Sequence, residues 1–266
     1  MIRGLGAALA LAFTLNAAPV CAAVLGQAAL PPGETTLPSG LTLALRRIAT
    51  APVGAIAVWI KSPADGYDGR RPGLARVSAY ALAAQKLGGG SLRDRVRAEG
   101  GSINISVFPM ATELAVVVPS YAAPSVADAL LRRALHPVID AGAFREAKTA
   151  AAADMTIAGT IPDIAFRDAL FAQAFPAGPL HESTYGDPRA LGAITLSDVR
   201  RFSARAYAPP NEMVAAVGAI DPAGVLDRLS ALAEPAQGGT PIPASGHAPR
   251  AAAGVAQRAP DLPGIG

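Results

Sequence analysis

Arg76 and Tyr80 lie four residues apart in the segment Pro72-Gly73-Leu74-Ala75-Arg76-Val77-Ser78-Ala79-Tyr80-Ala81-Leu82-Ala83-Ala84. Leu74, Val77, Ala81 and Leu82 recur there at three- and four-residue spacing, the period of a buried helix face. Side chains four apart on a helix project together. A hydrolytic zinc helix uses such a pair for two imidazoles, with a carboxylate general base one residue before the second. Here the three places hold Arg76, Ala79 and Tyr80. A guanidinium does not deprotonate and so cannot ligate a cation. Alanine has no proton acceptor, and a phenol with a pKa near ~10 is a poor zinc ligand beside imidazole. The spacing of a zinc helix is present without its ligands.

Other residues capable of chemistry are isolated. His136, His181 and His247 are far apart in sequence, and each reads as a solvated or locally bonded loop residue. Ser78 has no neighbouring histidine and no Gly-x-Ser-x-Gly turn, so it does not read as a nucleophile. Gly88-Gly89-Gly90 before Ser91 lacks the Gly-Lys-Ser/Thr ending of a phosphate loop and reads as a helix stop or hinge. Arg93, Asp94, Arg95 and Arg97 read as a solvated helix face. The net charge of +3 comes from scattered arginines, which gives no argument for nucleic acid.

The elements that must position the segment follow from pattern. Residues 1–23 have the form of an export signal: Arg3, then an apolar stretch from Leu5 to Leu15, then Cys21-Ala22-Ala23 as a small-residue cleavage site. A periplasmic or secreted mature chain starting near Val24 is expected; the alternative is an uncleaved anchor in the inner membrane. Cys21 is the only cysteine, so a mature chain would have no disulfide. A domain is expected over 36–234. Leu41, Leu43 and Leu45 alternate as a half-buried strand, and Ala55 to Lys61 reads as a central one. Ser91 with Asp94 resembles a capping box for a helix ending at Gly100-Gly101. Ile103 to Val107 and Glu113 to Val118 form a hairpin. Helices are expected behind Pro124, over Phe144 to Ile157 with Asp140 as cap, over Asp163 to Phe175, and over Thr195 to Tyr207. Val214 to Gly218 is a last strand, and Pro222 to Ala233 a last helix. Residues 235–266 hold six prolines and six glycines, the composition of a tail or linker without a fold of its own. Hairpin connections predict an α+β architecture, a mainly antiparallel sheet with helices packed on one face.

The order of several short motifs resembles one half of the insulinase/pitrilysin/mitochondrial-processing-peptidase family. Gly73-Leu74-Ala75-Arg76 followed by Tyr80 is similar to that family's Gly-Leu-Ala-His-x-x-Glu-His, with both histidines and the glutamate replaced. Leu37-Pro38-Ser39-Gly40-Leu41 is similar to its first strand. Gly100-Gly101-Ser102-Ile103-Asn104-Ile105-Ser106 resembles its Gly-Gly-x-x-Asn-Ala-x-Thr edge strand. Gly186 lies in a segment like its His-Pro-Tyr…Gly, and Tyr207-Ala208-Pro209-Pro210-Asn211 matches Tyr-x-Pro-x-Asn before the last strand.

The resemblance implies a half-clamshell in which Arg76, Ala79 and Tyr80 occupy vestigial catalytic positions. It places Asp154 at the third metal ligand, with Glu146 about two turns earlier as the other candidate. An Asp154–Arg76 ion pair in the vacated site is expected. No cofactor is expected, although active relatives use zinc. The resemblance also implies that Ile103, Asn104, Ile105 and Ser106 bind extended peptide. An open edge offers backbone donors and acceptors to any such chain. An edge strand that binds nothing is the other reading. The implied partner is an active zinc-peptidase subunit or a second half-shell, with no nucleic acid and no membrane contact beyond an uncleaved signal. The rival readings are an active metalloendopeptidase with a non-standard site around Asp154, and a peptide-binding or structural module without catalytic partner.

Overall fold

The computed structural model describes residues 33–66, 71–88, 90–233 and 241–242. The expected leader and almost all of the expected tail lie outside the described residues, as does His247. Among the described residues no helix is long and apolar enough to cross a membrane.

Strand β3 (Val53–Lys61) alternates cleanly: Ile56, Val58 and Ile60 are buried, and Ala55, Ala57 and Trp59 face the other way. It pairs antiparallel along its length with β5 (Ala111–Pro119) on one side and β6 (Glu212–Gly218) on the other. β2 (Thr42–Arg47) lies beyond β6, followed by β1 (Gly33–Thr36); β4 (Ser102–Val107) lies beyond β5. The order is therefore β1-β2-β6-β3-β5-β4, with one parallel pair, β2 with β6. The fold is α+β with a mostly antiparallel six-stranded sheet. A parallel pair needs a long crossover, and here all the helices before β6 supply it.

The helices are α1 (Leu74–Ala84), α2 (Leu92–Ala98), α3 (Ala123–Leu135), α4 (Ala141–Ala158), α5 (Pro162–Ala174), α6 (Pro188–Ala193), α7 (Leu196–Ala206) and α8 (Pro222–Ala233), of which α1, α2, α3 and α8 pack on the Ile56–Val58–Ile60 side of the sheet. Side chains cap several of the helix starts. Ser91 with Asp94 and Thr195 with Asp198 close reciprocal capping boxes, and Asp140 accepts from the Ala143 amide at 2.7 Å.

The structure differs from the sequence reading in three places. β1 precedes the domain start expected at residue 36; all four of its residues are exposed, so no alternation announces it. α6, capped by Asp187, is a short helix in a stretch to which the sequence reading assigns no element. Helix α1 does not bury one face: every residue except Tyr80 is buried. Its small side chains let it sit among α2, α3, α4 and α7 as well as on β4 and β5.

Among the buried polar residues, Glu212 is a carboxyl on the core face of the sheet. Glu212 opens β6 opposite Ile60, on the face shared with Val214 and Ala216, and is 3% exposed. Neither carboxylate oxygen has a hydrogen-bond partner. Burial pushes its pKa up from 4.5 to about 8, so the carboxyl is mostly neutral at pH 7.

Candidate functional site: a closed cluster on the α1–α4 contact

Helix α4 carries buried Ala143, Ala147, Ala151 and Ala158 at helical spacing. This alanine stripe packs on α1, and small residues allow two helices a close approach. Asp154 falls on the same stripe between Ala151 and Ala158, so the packing itself carries its carboxylate to α1. Glu146 is exposed, next to Ala147 on the outer side of the helix. Of the two sequence candidates, α4 brings Asp154 to Arg76 and Tyr80 and leaves Glu146 in solvent.

The other wall is set by two glycines. Gly73, at φ +85°, begins α1, and Gly186 takes φ +78° in the loop before α6. A Cβ on Gly186 would stand 2.8 Å from the Pro72 carbonyl oxygen and 3.2 Å from the Gly73 Cα. Only residues without side chains let these backbones meet in these conformations. The meeting sets Thr184 and Tyr185 against the first turn of α1.

Arg76 fills the space between the two walls, with its side chain 5% exposed. Its Nη1 donates to Asp154 Oδ2 at 3.0 Å and its Nε to the Thr184 carbonyl at 3.3 Å. The guanidinium lies 4.0 Å from the centre of the Tyr185 ring, a cation–π contact. The Tyr80 hydroxyl donates to the same Asp154 oxygen. Burial first, and the Asp154 carboxylate second, push the Tyr80 phenol up to about 12. The phenol therefore stays protonated and cannot serve as an anionic ligand. The Arg93 guanidinium stands 5.7 Å from the centre of the Tyr80 ring. Ala79 is fully buried and adds no polar group.

A divalent cation does not fit this set. Asp154 is the one carboxylate in the cluster, and a cation and a phenolic proton already occupy it. Among the described residues no three His, Cys, Asp or Glu side chains converge as a metal site would require. His136 bonds the Leu232 carbonyl at 2.8 Å and His181 the Phe175 carbonyl at 2.7 Å. Ser78, fully buried, donates to the Leu74 carbonyl within its own helix. Thr184 and Tyr185 escaped the sequence reading because one contributes only a backbone carbonyl and the other only a ring. Gly186 next to them was the available signal.

The sheet edge nearest α1 is β4, which pairs with β5 alone. Ile103 and Ile105 pack against the core; Asn104 and Ser106 lie on the opposite face, where Asn104 Nδ2 donates to Ser106 Oγ at 2.8 Å. The four residues are thus split between two faces, and what they share is the backbone of an open edge.

Solved structures share this fold. A crystal structure of a peptidase M16 inactive domain from Pseudomonas fluorescens superposes with a TM-score of 0.68 at 16% identity, over 80% of this chain and 52% of that one. The chain has the insulinase/pitrilysin (M16) fold. A protease from Helicobacter pylori matches with a TM-score of 0.68 at 19% identity, over 78% of this chain and 51% of that one. Pitrilysin matches with a TM-score of 0.67 at 18% identity, over 77% and 23%. The chain thus spans about half the length of the first two and a quarter of pitrilysin. No family model matches the sequence, and no curated protein does.

Proposed function

We propose that this chain is a catalytically silent M16-like half-shell, exported from the cytoplasm, that pairs with a zinc-bearing partner and helps it hold extended peptides. The observation that carries this reading is the closed Arg76–Asp154–Tyr80 cluster. It stands where the sequence resemblance puts two imidazoles and a carboxylate, and each of its charges is already satisfied. The partner supplies the metal and the hydrolytic step. This half supplies enclosure and the open edge of β4, whose backbone can pair with a peptide of any sequence. A relative of the same fold is itself an M16 inactive domain. The half-length match supports a second half, in this or another polypeptide.

The test is reconstitution. The purified chain alone retains no stoichiometric zinc and cleaves no peptide; co-expressed with an M16 chain that bears intact His-x-x-Glu-His, it co-purifies, and the pair cleaves. Ile105→Pro removes a β4 amide and weakens peptide capture by the pair while leaving co-purification intact. Stoichiometric zinc with chelator-sensitive cleavage by the chain alone would overturn the proposal in favour of a non-standard metallopeptidase.

A further inference from the structure

Arg95, exposed on α2 as its sequence predicts, also lines an open cavity of about 580 Å³ between α3, α8 and the sheet. Ile56 of β3 and Ala216 of β6 reach it from the sheet, although they are only 2% and 3% exposed. The cavity opens to solvent, and a cleft of this size falls in the range of small-molecule sites. Small residues keep it open: Ala123 and Ala127 on α3 and Gly224 on α8 face the space that larger side chains would fill.

The charges at its mouth are unequal. Asp128 is neutralised twice, by Arg132 of its own helix and by Arg228 of α8, and the second contact ties the two helices together across the cavity. Asp221 accepts from the Gly224 amide at the start of α8. Arg95 has no carboxylate partner among the described residues. Of the charged groups lining the cavity, Arg95 is thus the cation without an ion pair, and Asp221, which also has no ion pair among the described residues, is engaged by the Gly224 amide.

We propose that this cavity binds a small amphiphile with one anionic group, a medium-chain carboxylate in chemical class. Its chain lies against Ile56, Leu131, Ile220 and Val225, and its carboxylate meets Arg95. This site is separate from the α1–α4 cluster, and the proposal stands whether or not the chain pairs with a peptidase.

The experiment is calorimetric titration of the full chain with decanoate below its micellar concentration. The expected result is saturable binding of one decanoate per chain. Loss of the charged contact in Arg95→Gln weakens it about tenfold, and decanol binds the unaltered chain about as weakly. Ala127→Phe fills the cavity and abolishes binding; Val225→Trp does the same from the α8 side should the first variant lose its circular-dichroism signature. Absence of saturable binding overturns the proposal. So does Arg95→Gln binding decanoate as tightly as the original chain, or a folded cavity-filling variant that keeps the affinity.

Discussion

Two carboxyls in this molecule meet opposite treatment. Asp154 lies on the α1–α4 contact, about a third exposed, and holds a guanidinium and a phenol on one oxygen. Glu212 lies under the sheet with neither oxygen bonded. The first is a paired charge: Arg76 and Tyr80 make it a structural tie between α1 and α4. The second is a charge placed among Val214, Ala216 and Ile60 with no partner, and the chain answers by keeping it protonated. A buried charge persists either by pairing or by neutralising itself. The cluster on α4 is therefore closed by its own partners, whereas Glu212 makes the fold's stability depend on pH.

The largest effect expected comes from breaking that contrast at Glu212. Above pH 4.5 the unfolded chain gives up this proton, while the folded chain keeps it until about pH 8. Its burden is absent below pH 4.5, grows as pH rises through that window, and levels off above pH 8. The full window corresponds to on the order of 5 kcal/mol. Urea denaturation at pH 5 and pH 8 measures it: the unaltered chain is less stable at pH 8, and Glu212→Gln flattens the dependence. A slope that survives the substitution would place its origin elsewhere.

Next in size is Arg76→Met, which keeps much of the side-chain volume and removes the charge. It strands the Thr184 carbonyl and leaves Asp154 with the phenol alone. The expected loss is about 2 kcal/mol, below the usual cost of splitting a fully buried pair because Asp154 reaches solvent. The same substitution in an Asp154→Ala background should cost less, and that difference is the coupling between the two residues. Equal costs in both backgrounds would show that Arg76 stabilises through Tyr185 and Thr184 only.

How much of this was visible in the sequence depends on the kind of signal. Caps are local, so Ser91, Asp140 and Thr195 could be read directly, and the alternation of β3 named its buried side chains. The four-residue spacing of Arg76 and Tyr80 survives in the structure because helix periodicity guarantees it. Asp154 required the resemblance, yet the alanine stripe on either side of it was in the sequence and would have favoured it over Glu146 on packing grounds alone. β1 has no buried residue and α6 is short, so neither carries a period to detect. Arg95 is exposed, as a charge on a solvated helix face should be; that it also rims a cavity depends on the distant approach of α8. Glu212 is invisible for a related reason: one polar residue at the start of an apolar strand looks like a strand end.

The smallest effects expected are at Tyr80 and at the charge of Asp154, and they sharpen the contrast most finely. Tyr80→Phe removes one hydrogen bond at a partly exposed acceptor and should cost about 1 kcal/mol. Asp154→Asn keeps an oxygen that can accept from Arg76 and Tyr80 and removes only the negative charge. Spectroscopic titration of Tyr80 then separates the influences on its phenol. Burial, the largest, is untouched by the substitution; of what Asp154 adds, the hydrogen bond is kept and the charge disappears, while Arg76 continues to pull the phenol down. The phenol should therefore ionise between 10 and 12, below its value in the unaltered chain and above that of a free tyrosine. A value at or under 10 would mean that the α1–α4 contact has opened to water and that the carboxylate had been holding the helices together. A value still at about 12 would assign the whole displacement to burial and the retained hydrogen bond, making the charge of Asp154 a guest of the packing that the alanines impose.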